Sequence, residues 1–168
     1  MENIKWTHLE EVLNEFADEV IKKARENLDN NGSNASKNLY NTLGAEREIE
    51  ITDDHFSVKI GIEEYAWYLE NGRGPGKFPP VDKIKEWIEV KPVNPTPLSN
   101  GKTPSVEQLS FLISRKIANE GTEGQPFFEP AKEQTIREFE DKINQAIDED
   151  VSNFILELVE KEMRDIFS

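Results

Sequence analysis

The last third of the sequence constrains the fold most, because it has the pattern of one very long amphipathic helix. From Pro130 onward, apolar residues recur at spacings of three and four, at Ile136, Phe139, Ile143, Ile147, Val151, Phe154 and Leu158 and towards Met163 or Ile166. Unless the acidic run Asp148-Glu149-Asp150 breaks it, this helix of about 37 residues would span roughly 55 Å. That length exceeds the width of a compact domain of 168 residues, so we expect part of the helix to protrude unless a partner covers it.

The other patterns predict an α+β fold with a β-hairpin and several short helices. The predicted elements are a long helix over 6–28, a short helix within 33–43, strands at 46–52 and 56–62 around a turn, a helical turn at 65–69, a helix at 81–90 and a helix from Pro104 to about 119. Irregular Gly/Pro-rich loops are expected at 72–80 and 91–104. We expect one domain over 1–147 and an acidic helical extension over 148–168. A lone hairpin is marginal in water, so it must pack on the first helix or pair with strands of another chain.

Two details of packing follow from the same patterns. The helix that begins at Pro104 is expected to bury one side, formed by Val106, Leu109, Leu112, Ile113 and Ile117. Phe127 and Phe128, which follow an irregular crossing, are expected to enter the core.

Charge is distributed unevenly along the chain, which has 34 acidic and 20 basic residues and a net charge of −14. Residues 1–64 carry −8, residues 65–118 carry +3 and residues 119–168 carry −9. This balance argues against a free-standing nucleic-acid binder and against anionic membrane surfaces, because both attract basic proteins. Solvated helix faces would account for the acidic runs. The alternative is a molecule with charged poles that stacks on copies of itself or lines an acidic surface.

No motif in the sequence predicts catalysis, a cofactor or a metal ion, and we expect a protein that is not an enzyme. Cysteine is absent, which excludes disulfides and thiolate chemistry. The stretches 72–77 and 101–103 resemble parts of a phosphate-binding loop but lack its glycine spacing. Residues 53–55, Asp-Asp-His, are more typical of a turn than of a metal site, since adjacent residues rarely converge on one ion. No apolar run approaches the length of a membrane helix, and the N-terminus lacks a signal-peptide pattern, so we expect synthesis in a cytoplasm.

Aromatic residues concentrate around the Gly/Pro-rich loops, and two interpretations stay open. They could form an ordinary core that the loops cover. They could instead form an exposed interface, where Tyr, Trp and Arg concentrate binding energy, with Arg73 as an anchor at the loop tip. The candidate interface residues are Tyr65, Trp67, Tyr68, Arg73, Lys77, Phe78, Trp87, Phe127 and Phe128.

These same stretches carry a family resemblance. The segment YAWYLENGRGPGKFPPVDKIKEWIEV, followed by LSFLISRKIANEGTEGQPFFEPA, resembles the neck or tail-component family of long-tailed bacteriophages. The family pattern combines an aromatic turn, a glycine-rich loop, a PP-x-x-x-I-x-x-W motif, a helix that ends in I-A-x-x-G-T, and the pairs PF and PA. It corresponds here to 65–72, 79–87, 117–122, 126–127 and 130–131. The segment SKNLYNTL at 36–43 resembles the one that precedes the family's hairpin, so the likeness covers roughly 5–147. Gly76-Lys77-Phe78 departs from the family, whose loop often holds a histidine.

The resemblance implies a non-catalytic α+β subunit of a homo-oligomeric ring in the virion, joining head to tail as a neck protein. Its expected partners are other head-completion, connector or tail proteins, with DNA passing through the lumen without specific binding. A tail-completion or tail-assembly role in the same class of virion is one alternative. Another is an acidic DNA mimic or inhibitor that binds a host protein.

Overall fold

The computed structural model describes residues 3–32, 37–52, 54–91, 93–97 and 101–167 and confirms the predicted α+β class. The elements in chain order are α1 (Thr7–Asn30), α2 (Asn38–Thr42), β1 (Arg47–Ile51), β2 (Phe56–Ile60), α3 (Ala66–Asn71), α4 (Val81–Val90), α5 (Val106–Glu120) and α6 (Phe128–Phe167). Strands β1 and β2 pair antiparallel, with Ile49 opposite Val58, and form a two-stranded sheet. Part of the region predicted to hold the short helix, 33–36, and Asp53 of the predicted turn lie outside the described residues.

The chain forms two compact units, and each is assembled from separate stretches of sequence. Unit 1 comprises residues 1–24, 44–61 and 128–168, and so contains most of α1, the hairpin and α6. Unit 2 comprises residues 25–43 and 62–127, and contains the end of α1 together with α2 to α5.

Helix α1 buries the apolar stripe that its sequence predicts. Its buried side chains are Leu9, Leu13, Ala17, Val20, Ile21, Ala24 and Leu28, which follow the three/four spacing of one helix face. In unit 1 this face is joined by α6, where Phe16 and Phe139 meet edge to face at 5.8 Å between ring centroids. The hairpin is tied to the same helix by an ion pair from Arg47 to Asp18 at 2.6 Å.

Helix α6 runs unbroken through the acidic run that the sequence left in question. Its buried positions are Ala131, Thr135, Phe139, Ala146 and Asp150. Ile136, which continues the predicted apolar stripe, is largely exposed instead. Thr135 takes a buried place because its hydroxyl donates to the Ala131 carbonyl, at 2.8 Å, within the helix.

Asp150 is buried because it caps the first turn of α1. Its carboxylate accepts the backbone N–H groups of His8 at 3.1 Å and Leu9 at 2.9 Å, and His8 Nδ1 lies 2.7 Å from Oδ1. The first N–H groups of a helix have no partner inside the helix, and the helix dipole favours an anion at this end. A carboxylate from α6 therefore caps the start of α1.

In unit 2 the buried side of α5 differs from the predicted one. Val106 is exposed, whereas Ser110 and Ser114 are fully buried. Ser110 fits this position because its hydroxyl is satisfied by the Val106 carbonyl at 2.7 Å. The helix also begins two residues later than predicted, since Ser105 and Gln108 form a reciprocal capping box ahead of Val106.

The substitution Asp150→Asn tests the cap between the two long helices. We expect it to lower the free energy of unfolding by about 1.5–3 kcal/mol, because hydrogen bonds to a charged acceptor are lost and an amide N–H₂ meets backbone donors. Asp148→Asn, the same change at an exposed position of α6, should cost less than about 0.5 kcal/mol. Urea unfolding followed by circular dichroism measures both, and equal costs at the two positions would contradict the cap.

The same cap makes stability depend on pH. The hydrogen bond to Asp150 raises the pKa of His8 and outweighs desolvation, which lowers it, and the charges of Asp150 and Glu149 raise it further. Burial alone would raise the pKa of Asp150, but hydrogen bonds from Leu9 and His8 outweigh it and lower the pKa. The His8 contribution is thus present below its unfolded pKa of about 6.5 and lost as pH rises through the raised folded value, whereas the Asp150 contribution is lost as pH falls towards its lowered value.

We therefore expect wild type to exceed His8→Gln in free energy of unfolding at about pH 5.5 by more than it does at about pH 8.5. Urea titrations at the two pH values measure the difference. A gap that is constant or grows with pH would show that His8 does not titrate against Asp150.

Candidate functional site

The aromatic residues singled out by the sequence fall into an exposed group and a buried group. In unit 2, Trp67 and Tyr68 are 63% and 58% exposed and meet edge to face, with ring centroids 5.5 Å apart. Tyr65, Phe78 and Trp87 are also exposed. The exposure of these five side chains meets the condition that the interface interpretation sets, and their role as an interface stays a prediction.

Phe127 and Phe128 do not belong with that surface. Phe127 is 1% exposed and lies in the core of unit 2, as the sequence predicts. Its backbone is held on both sides, because its N–H donates to Glu70 Oε2 at 2.8 Å and its carbonyl accepts Asn27 Nδ2 at 2.9 Å. Phe128 is half-buried and lies in unit 1, where it opens α6. Neither side chain belongs to the exposed group.

The backbone that carries the exposed aromatic residues of α3 is hydrogen-bonded to a second segment of the chain, residues 118–125. Arg73 and Thr122 exchange two backbone hydrogen bonds of 2.9 and 2.7 Å. Gly76 N–H donates to the Ala118 carbonyl at 2.8 Å, and Gln125 N–H donates to the Leu69 carbonyl at 2.7 Å. The end of α3 and the Gly/Pro-rich loop after it are therefore hydrogen-bonded to residues 118–125, at the end of α5 and just beyond it. We call this contact the crossing, and it fixes the backbone from which α3 presents its side chains.

Glycines permit this crossing because the two backbones approach too closely for a side chain. A Cβ at Gly72 would meet the Thr122 carbonyl oxygen, and one at Gly124 would meet the Glu70 carbonyl oxygen. Gly121 adds a backbone requirement, since its φ of +79° lies in the left-handed region and a Cβ there would overlap the Arg73 carbonyl oxygen. Within the stretch 72–77 that resembles a phosphate loop, Gly72 serves this close approach, whereas Gly74 and Gly76 have open space around them.

Two predicted cations lie on the loop between α3 and α4. The Arg73 guanidinium donates to the Lys77 carbonyl and so closes the loop on itself. Lys77 is exposed and precedes Phe78, whose ring lies 5.6 Å from that of Phe111 on α5. Phe111 is half exposed, and we call these two rings the Phe78–Phe111 pair. Sequence reasoning missed Phe111, although its position outside the predicted buried side of α5 was a usable signal.

Trp87 contributes a separate exposed ring on α4. Lys91 Nζ lies 5.8 Å from the ring centroid, a cation–π contact, and also donates to the Gly32 carbonyl at 3.0 Å. Trp87 is therefore partly covered by a cation, unlike Trp67.

Unit 1 contains an apolar groove that sequence reasoning did not identify. It has a volume of about 590 Å³ and lies between α1, β2 and α6. We call it the unit 1 groove; its apolar lining is formed by Leu13, Phe16, Val20, Phe56, Val58, Ile60, Phe128, Ile136 and Ile143. Phe56 and Ile136 are the exposed members. The alternation of the hairpin indicated this apolar face, but the elements that complete the groove are distant in sequence.

The net charge separates by unit. Unit 1 has 23 acidic and 10 basic residues and a net charge of −13, whereas unit 2 has 11 acidic and 10 basic residues and a net charge of −1. The acidic ends and weakly basic middle of the sequence thus become one strongly acidic unit and one nearly neutral unit.

Metal ligands do not gather in the described part of the chain, where no three His, Asp or Glu side chains lie close enough to share an ion. Within the same residues, no helix is both long enough and apolar enough to cross a membrane. Comparison with known proteins gives no match to a family model, to a curated protein or to a solved structure.

Gly121→Ala tests whether the crossing holds the surface around α3. We expect it to lower the free energy of unfolding by about 3 kcal/mol, from the positive φ and from displacement of the Arg73 backbone. Gly101→Ala is the matched control, because Gly101 has a similar φ of +74° but open space around it, and should cost about 1 kcal/mol. Urea unfolding compares them, and equal costs would mean that the close approach at Gly121 contributes nothing.

Proposed function

We propose that this protein is a non-catalytic structural subunit that joins head and tail in a tailed bacteriophage or prophage, as one member of a ring in the virion. The observation that carries the proposal is the Trp67–Tyr68 pair, two large aromatic rings more than half exposed on a braced backbone. Rigid exposed aromatics are typical of protein interfaces, where a few such residues supply most of the binding energy. The resemblance of the same segment to phage neck and tail components gives this surface a class of partner: connector, head-completion or tail proteins.

The brace around α3 supports docking rather than a mobile loop. Interface residues that are already fixed lose less conformational entropy on binding, so more of their contact energy appears as affinity. Backbone bonds from Leu69, Arg73 and Gly76 to the segment 118–125 provide that fixation.

A tail-completion role is the alternative within the same class of virion, and it uses the same surface. The two roles differ in which particle binds the protein first, the DNA-filled head or the finished tail. The charge of unit 1 favours one further candidate, an acidic inhibitor that mimics DNA and binds a host protein. That candidate needs neither Trp67 nor Tyr68.

Deleting the gene from the genome that encodes the chain tests the proposal. We expect lysates to contain filled heads and separate tails by electron microscopy, and purified wild-type protein added to the lysate to restore joined particles. Trp67→Ala combined with Tyr68→Ala should reduce the number of joined particles at least about tenfold, because the aromatic contacts that the proposed interface buries against its partner are lost. Normal joined particles after deletion would overturn the proposed function.

The matched control is Trp67→Phe combined with Tyr68→Phe, which keeps two rings at the same positions and should restore joining. Both double variants should unfold within about 0.5 kcal/mol of wild type, since the side chains are exposed. Co-sedimentation of the protein with isolated heads indicates the neck role, and with isolated tails the tail-completion role. Binding to neither, with capture of a host nucleic-acid enzyme, would favour the acidic inhibitor.

A further inference from the structure

We propose that the unit 1 groove of one copy of this chain binds the Phe78–Phe111 pair of a second copy. The contact rests on the proposed function, because it supplies the interface between neighbouring ring subunits, but its test is independent of head and tail.

The lining of the unit 1 groove favours an apolar occupant that also carries a cation. Its walls are apolar, and Phe56 and Ile136 expose much of their surface along it. Lys132 in the lining is neutralised by Glu129 at 2.7 Å. Glu140, also in the lining, has no ion-pair partner among the described residues.

Ser57 adds a second polar group without a partner. It lines the groove, and its buried Oγ makes no hydrogen bond within the described part of the chain. Buried polar groups are normally satisfied, so an occupant that brings a donor would remove this cost. A cationic N–H group would satisfy both Ser57 and Glu140 in chemical terms.

Besides Trp87, whose ring Lys91 partly covers, three exposed apolar surfaces among the described residues could fill such a groove, and charge separates them. The first is the exposed stripe on the last turns of α6, formed by Ile155, Leu156, Val159, Met163 and Ile166. Its segment carries four acidic and two basic residues over 155–166, so it would bring negative charge to a unit with a net charge of −13. The second is the Trp67–Tyr68 pair, which follows the acidic residues Glu63 and Glu64.

The Phe78–Phe111 pair is the third surface, and cations flank it. Lys77 adjoins Phe78, and Arg115 lies one helical turn after Phe111 on the same face of α5. The acidic residue one turn before Phe111, Glu107, is already paired with Lys85 at 3.1 Å. The pair thus offers two aromatic rings and two cations to a groove with apolar walls and an unpaired carboxylate. Charge complementarity selects it over the other two surfaces.

A contact of this kind joins different surfaces of the two copies. After one contact, one copy keeps an unused aromatic pair and the other keeps an unused groove, so association continues until a ring closes or a filament grows. Blocking the groove in one copy and the pair in another should therefore allow a single contact and no further growth.

The experiment uses full-length Phe111→Glu, with a blocked pair, and Ile136→Glu, with a blocked groove. Sedimentation equilibrium over a concentration series should show self-association of wild type and an association more than about tenfold weaker for each variant alone. An equimolar mixture should form a 1:1 dimer that does not grow, because the intact pair of one variant enters the intact groove of the other. Far-ultraviolet circular dichroism and urea unfolding confirm that both variants fold.

Ile155→Glu and Trp67→Glu are the matched controls, each placing a glutamate on one of the rival exposed surfaces. Both should self-associate as wild type does. A mixture of the two blocked variants that stays monomeric, loss of association in either control, or a wild-type chain that is monomeric at its highest attainable concentration would overturn the contact. A monomeric chain that still joins heads to tails would leave the proposed function standing, whereas a chain that self-associates through the groove but joins nothing would overturn the function alone.

Discussion

One buried carboxylate holds together the two long helices of unit 1. Asp150 of α6 receives the first backbone N–H groups of α1 and the ring of His8, so the start of one helix is satisfied by the side of the other. Because the carboxylate is buried, leaving it without these donors would cost more than the hydrogen bonds gain, and this asymmetry fixes the register between α1 and α6. The hairpin and the unit 1 groove depend on that register, since α1 and α6 form two of the groove's three walls.

In unit 2, tertiary contacts stabilise a short helix, α3, that has an exposed aromatic surface. Helix α3 has only six residues, too few to be stable alone in water. Its stability comes from contacts at and just after its last turn, where Leu69 accepts from Gln125, Glu70 accepts from Phe127, and Arg73 pairs with Thr122. Burial of Phe127 links these bonds to the core of the unit. Trp67 and Tyr68 are thus exposed on a short helix whose last turn is held by hydrogen bonds to residues 122–127.

Periodicity predicted the helices and the hairpin because their hydrophobic patterns are local, as in α1, where the seven buried residues follow one face. It failed where burial depends on residues far apart in the chain. The sequence indicates Asp150 as part of a possible helix break, whereas its carboxylate accepts the N–H groups of His8 and Leu9 and caps α1. Ser110 is polar and is not predicted to lie in the core, but it is buried there because its hydroxyl is satisfied inside α5. For the candidate site, the sequence identified Trp67 and Tyr68 but left core and interface open, because exposure is decided by the crossing at Thr122. The unit 1 groove was not predicted because its walls, α1, β2 and α6, are far apart in the chain.

The separation of charge between the units also limits how copies of this chain can meet. A contact related by a two-fold axis places the same surface on both sides, so a contact made by unit 1 alone would oppose two bodies with a net charge of −13 each. Such repulsion acts over about a Debye length, roughly 8 Å at physiological salt, and therefore reaches beyond the contact itself. A contact between unit 1 of one copy and unit 2 of the next avoids it, because unit 2 carries a net charge of only −1 and presents Lys77 and Arg115 beside its aromatic rings.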